Sequence, residues 1–211
     1  MKNLSLYLFI SFFTLSTIAN LAAQQADDNI DKANTYKQQI EDYRKQKDRG
    51  YLVPEKTMLT AELMKDFKGL KYFPVNSKYK ISAKLTRLKD LPAIKIKTST
   101  GKVSNYVIYG KLSFHIDNKP YELSVYQSAR LADEKRKESA LFIPFTDKTS
   151  GKETYGGGRY LVLDNPKGDL LIIDFNMAYN PYCVYNPNHS CPIPPAENDL
   201  PVKILAGELM Y

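Results

Sequence analysis

Arg159 and Asp174 are charged residues set into apolar runs, and their spacing suggests how they could meet. The runs Tyr160–Leu163 and Leu170–Ile173 flank the turn formers Asn165, Pro166, Lys167 and Gly168, a pattern that reads as a β-hairpin. If Asp164 faces Asp169 across that turn, the register places Arg159 opposite Asp174. Facing side chains lie within about 5 Å at Cβ, and a lone charge among apolar neighbours would carry a large desolvation cost. The expectation is an Arg159–Asp174 ion pair at the rim of the core. Such a pair either sets strand register or holds Arg159 toward a ligand, because a fixed guanidinium fork suits carboxylate or phosphate. Gly156, Gly157 and Gly158 immediately precede the arginine. Glycine tolerates positive φ, so successive N–H groups there could converge on an anion. No helix is expected after them, which excludes a Walker loop and a dinucleotide fingerprint. A tight corner leading into the strand fits the same residues.

Other groups could do chemistry nearby. Thr146 to Lys152 reads as a polar turn in which Asp147, with Ser150 or Tyr155, pairs an acid with a nucleophile; Glu197 is a second acid–base candidate. There is no GxSxG motif, and neither His115 nor His189 has an acidic partner at a diagnostic spacing. Cys183 and Cys191 stand seven residues apart in a segment rich in proline: Pro181, Pro187, Pro192, Pro194 and Pro195. In an exported chain two close cysteines most simply form one disulfide that closes a small loop. Reduced thiols are the second reading. A metal held with His189 is the third, and it finds three ligands where zinc wants four. The disulfide is the expectation, and no metal or other cofactor is assigned.

Elements must position these groups. The chain has 211 residues, 43% hydrophobic and 25% charged, with 16 tyrosines and no tryptophan. That length supports one domain with a proper core, and tyrosine with many Val and Ile leans toward strands. Lys2, an uncharged apolar stretch from Leu4 to Ile18, and the small residues Ala19, Ala22 and Ala23 read as a signal peptide over residues 1–23. Export to a bacterial periplasm or the exterior follows, with no membrane span after cleavage. Removing the leader takes the net charge from +7 to +6. The bases are spread along the chain, and no nucleic-acid-binding motif accompanies them.

Residues 24–75 read as a helix and connector. Ile30, Ala33, Tyr36, Ile40 and Tyr43 form one narrow apolar stripe, which predicts a helix from Asp27 to Arg49 that Gly50 can stop. It would strap across a sheet or, on the other reading, meet a partner protein. Residues 76–211 read as the β domain, with strands over Tyr79–Thr86, Ala93–Ser99, Ser104–Ile116, Tyr121–Gln127, Ala140–Phe145, Gly158–Asp164, Asp169–Asn176 and Pro201–Leu209. The clearest hairpin turns at Asp117–Pro120, with Leu112, Phe114, Ile116, Leu123 and Val125 facing the core and His115 facing away. Tyr160–Leu163 and Leu170–Ile173 are continuous apolar runs, expected to be covered on both faces. The fold class is mainly β with a flanking amino-terminal helix: an antiparallel barrel or tight sandwich of about seven or eight strands.

Long motifs in this frame carry a resemblance. FTDKTSGKETYGGGRYL (Phe145 to Leu161), DFNMAYNPYCVYN (Asp174 to Asn186), CPIPPAEN (Cys191 to Asn198), the closing AGE (Ala206 to Glu208), FKGLKYFPV (Phe67 to Val75) and YGKLSF (Tyr109 to Phe114) resemble the bacterial family catalogued as domain of unknown function 1684. The resemblance spans the chain from about Tyr36 onward and implies no activity. The ligand-binding residues expected are Gly156, Gly157, Gly158, Arg159, Asp174, Asn176, Tyr179 and Asn180, with a small anion as ligand. Asp147, Tyr155 and Glu197 are the catalytic candidates if the protein is a metal-independent hydrolase. A structural or interaction role is the third reading.

Overall fold

The computed structural model describes residues 4–55, 57–130, 140–164 and 167–211. Helix α1 runs from Leu4 to Tyr51, beginning well before the predicted start at Asp27. No Gly or Pro interrupts the sequence between Met1 and Arg49, so nothing in the backbone ends the helix earlier. It stops where predicted: Leu52 and Val53 donate to the carbonyls of Arg49 and Gly50, and Pro54 cannot continue it. Between Asp28 and Tyr51 the helix becomes buried from Tyr36 onward, with Ile30 left 57% exposed. A short α2 (Ala61–Asp66), capped by the Thr60 hydroxyl, follows in the connector.

Eight strands follow: β1 (Lys80–Arg87), β2 (Ile94–Lys97), β3 (Val103–Ile116), β4 (Lys119–Ser128), β5 (Leu141–Asp147), β6 (Arg159–Leu163), β7 (Leu170–Asp174) and β8 (Asp199–Leu200). They form one sheet in the order β6-β5-β4-β3-β1-β7, with β2 beside the first half of β3 and β8 parallel to β5. All other pairings are antiparallel, and the sheet curls into a half-barrel. The β3–β4 hairpin turns on Asp117 and Asn118, both at positive φ (50° and 59°), the two-residue turn whose twist matches its strands. Leu112, Phe114, Ile116, Leu123 and Val125 face the core and His115 faces out, as predicted. With Phe145, Ile173 and Phe175 they form the main core. Each such side chain contributes about 1.5–3 kcal/mol on burial.

The second predicted hairpin does not exist. β6 pairs with β5, and β7 pairs with β1. The far edge of β6 is also taken, because Tyr160 and Tyr179 exchange two backbone hydrogen bonds. Nor is the β7 run covered on both faces: Leu170 is 78% exposed and Ile172 53%. The run alternates, and its outer face stays in solvent. The predicted last strand over Pro201–Leu209 is replaced by the two-residue β8 and an extended tail. That tail is pinned by bonds from Glu208 N–H to Ala178 O, Phe73 N–H to Gly207 O and Leu209 N–H to Lys71 O.

Candidate functional site

The expected Arg159–Asp174 pair is absent, because register sets these residues on the two opposite ends of the sheet order. Arg159 faces Phe145 across the strand pair and is wholly buried. Its guanidinium lies 3.6 Å from Asp147. It also donates to the carbonyls of Ala206, Glu208 and Ile204. Asp147 accepts from Ile204 N–H at 2.6 Å and from the Thr149 hydroxyl at 2.7 Å. Burial holds the Arg159 pKa below its ordinary value, with Asp147 and Glu208 acting against that shift. This arginine clamps the carboxyl-terminal tail onto β5 and β6, and it presents no surface to a ligand.

Asp174 sits instead at the end of β7, where it accepts from the Tyr36 hydroxyl (2.8 Å to one oxygen) and from Asn176 N–H. Asn176 ties Asn76 N–H and O together, so these two residues anchor α1 and the connector to the sheet. Asn180 donates its N–H to Glu208 at 2.7 Å and its amide to Leu209 O. Glu208, itself buried, also receives Lys47 at 2.5 Å and the Tyr185 hydroxyl at 2.9 Å. Of the three glycines, Gly158 needs its lack of a side chain most: its φ is +83°, and a Cβ would stand 2.4 Å from Phe145 O. The Gly156–Gly158 stretch is a close-packed corner against Gly151, the Tyr155 ring and Pro194.

The catalytic candidates do not converge. Asp147 is buried against Arg159, while exposed Glu197 accepts from the Tyr126 hydroxyl at 2.7 Å. Tyr155, half-buried, stands beside Cys183, and burial followed by that thiol raises its pKa. Among the described residues, the carboxyl whose pKa burial pushes up is Asp48, which accepts from Leu70 N–H. Cys183 and Cys191 are free thiols, in place of the expected disulfide. Cys191 Sγ accepts a hydrogen bond from Cys183 N–H at 3.2 Å, so a hydrogen bond ties the ends of this loop. Burial pushes the Cys191 thiol up to about 11. Among the described residues no group of three or more His, Cys, Asp or Glu is placed to hold a metal.

The open space lies next door. A cleft of about 470 Å³ runs between α1 and the segment after β7, lined by Tyr43, Gln46, Lys47, Val162, Tyr179 and Tyr182. Tyr43, Gln46 and Lys47 fall three and four apart, on one helix face. A second lobe of about 190 Å³ shares Tyr179 and Tyr182 and continues over Tyr106, Phe142, Tyr160 and His189 to Cys191 and Pro192. The rings run edge to face or tilted from one lobe to the other: Phe142–Tyr160 at 4.7 Å, Tyr160–Tyr179 at 5.7 Å, Tyr179–Tyr182 at 6.2 Å and Tyr182–His189 at 5.8 Å. Lys47 lies over the Tyr179 ring at 4.6 Å while paired with Glu208. Burial raises the pKa of Tyr43, Tyr179 and Tyr182, so these phenols stay protonated beyond the ordinary range. Of the expected ligand residues, only Tyr179 lines this cleft. Tyr43 was legible only as part of the apolar helix stripe and Tyr182 only as part of the motif Asp174 to Asn186, and neither pattern marked it as a cleft residue.

Residues 65–209 match the family described as a protein of unknown function (DUF1684). The solution NMR structure of the uncharacterized protein from gene locus rrnAC0354 of Haloarcula marismortui is similar over 85% of this chain and 96% of that one, at 34% identity and a TM-score of 0.65. No curated protein matches.

Proposed function

We propose that this chain, which belongs to the DUF1684 family of proteins of unknown function, is a small-ligand binding protein that uses the two-lobed tyrosine cleft. The observation that carries this reading is the contrast in how side chains are committed. The buried polar groups around Arg159, Asp147, Glu208 and Asn180 hold one another and the tail, while the rings of Tyr43, Tyr179 and Tyr182 border open space. A cleft of this volume falls in the range of about 300–1,000 Å³ that takes small molecules, and a mainly apolar lining with a few polar groups is usual there.

The anion first expected loses its anchor, because Arg159 has no exposed surface and Lys47 is already neutralised by Glu208. The ligand is therefore uncharged. Export is part of the same proposal: the leader over residues 1–23 would be removed, leaving Gln24 as the first residue of a bacterial periplasmic or secreted protein. No helix among the described residues is long and apolar enough to cross a membrane. Expression in a bacterium, cell fractionation and intact mass test the export half, and a full-length protein confined to the cytoplasm would overturn it.

Saturation-transfer NMR with phenol, cyclohexanol and benzoate tests the binding half. The expected result is transfer to phenol and cyclohexanol that is lost in Tyr182→Ala and kept in Ile172→Ser, a control on the exposed face of β7. Equal transfer in both variants would place binding elsewhere and overturn the reading.

A further inference from the structure

The cleft's chemistry narrows the ligand further, and the narrowing rests on the binding role just proposed. A cation would meet Lys47, whose ammonium already covers the Tyr179 ring. An anion would find that ammonium held at 2.5 Å by Glu208, a carboxylate only 1% exposed and held also by Tyr185 and Asn180. A plain hydrocarbon would satisfy the rings but leave the polar edge unused. That edge is substantial: the Tyr43 and Tyr182 hydroxyls make no hydrogen bond to any described residue, and the Gln46 amide is exposed beside them. What remains is a neutral molecule with an apolar face and a rim of hydroxyl groups.

We infer that the ligand is a saccharide, its ring C–H face laid on Tyr182 and its hydroxyls bonded to Tyr43, Tyr182 and Gln46. The ring faces supply contact area at low entropic cost, because a tyrosine has only two side-chain torsions to fix. The phenol hydroxyl donates and accepts, which suits a sugar hydroxyl that does both. The first lobe takes one ring, and the narrower lobe toward His189, Cys191 and Pro192 takes the next. The occupant is thus at least a disaccharide, lying along the line of rings.

Titration of the full chain with maltose, cellobiose and N,N′-diacetylchitobiose, followed by tyrosine ring signals in two-dimensional NMR, tests this directly. The expected result is saturable shifts at Tyr43, Tyr179 and Tyr182 for at least one of the three. The affinity should be unchanged by about 0.5 M salt, since no net charge is recognised. Tyr182→Ala should weaken binding about tenfold or more. Tyr43→Phe, which keeps the ring and removes only the hydroxyl, should weaken it several-fold. Phenol binding at Tyr182 with no response to any of the three sugars would overturn the saccharide and leave the binding role standing. No response to sugars, phenol or cyclohexanol would overturn both. Benzoate binding that is lost in high salt would also overturn the saccharide, in favour of a charged ligand.

Discussion

Two neighbouring regions of this protein use their polar groups in opposite ways. Around Arg159 the bonds are directed inward: three tail carbonyls and Asp147 surround a guanidinium with no exposure, and only its Nε lacks a partner. Beside it, Tyr43, Tyr179 and Tyr182 line a cleft, and their hydroxyls make no hydrogen bond among the described residues. The first region is a clamp. Its polar residues replace the hydrogen-bond ladder that the irregular tail from Pro201 to Leu209 lacks, since buried backbone groups must be paired somewhere. The second has groups left over after folding, which is what recognition of another molecule requires.

The largest expected effect breaks the clamp. Arg159→Ala strands Asp147 as an unpaired buried charge and orphans the tail carbonyls, so it should cost about 3–5 kcal/mol, read as a large fall in the urea midpoint. A variant that stays folded near wild-type stability would dissolve the contrast between the regions. Gly207→Ala comes next. Its φ is +79°, and a Cβ would lie 2.6 Å from Ala178 O. A loss of about 1–3 kcal/mol is expected, with the tail signals the first to shift.

Alkaline titration probes the tyrosines of both regions together. Burial raises the pKa of Tyr51, Tyr72, Tyr160 and Tyr185 above the ordinary value near 10. The unfolded chain then releases protons before the folded one does. Stability is full below about pH 10 and falls as pH rises past it. Urea midpoints that stay flat from about pH 9 to 11 would contradict this burial. The thiols should differ in the same sense: Cys191, buried and pushed up to about 11, should alkylate more slowly than Cys183 at mildly alkaline pH. The smallest effect is Tyr182→Ala. With that residue 38% exposed, stability should change by less than about 1 kcal/mol, even as ligand binding is lost. A large destabilisation would make Tyr182 part of the scaffold and blur the comparison.

Local pattern explains what could be read without the structure. Alternation of apolar residues along β1, β3 and β4 marked both strands and faces, because a side chain's face follows from its parity along a strand. The Asp117–Asn118 turn was legible because two positive-φ positions select such residues. Helix α1 was legible at its end, where Gly50 and Pro54 stand, and its start was set too late because the apolar leader has no breaker of its own. The Arg159–Asp174 pair failed for a different reason. It assumed that two strands adjacent in sequence must pair, yet β6 had already committed one edge to β5 and part of the other to Tyr179.

By itself, the sequence determined the mainly antiparallel β character, the core face of its first long hairpin, the family, and the fact that the residues from Phe145 to Pro195 are the unusual ones. Those follow from periodicity, turn chemistry and motif, all of which are local. Only the tertiary structure decided which polar residues brace the fold and which surfaces stay open. Pairing partners such as Arg159 with Asp147, or Lys47 with Glu208, are separated along the chain, and their pairing depends on where the sheet closes. The tyrosine cleft exists because α1 crosses beside the segment after β7, and no spacing within either element encodes that crossing.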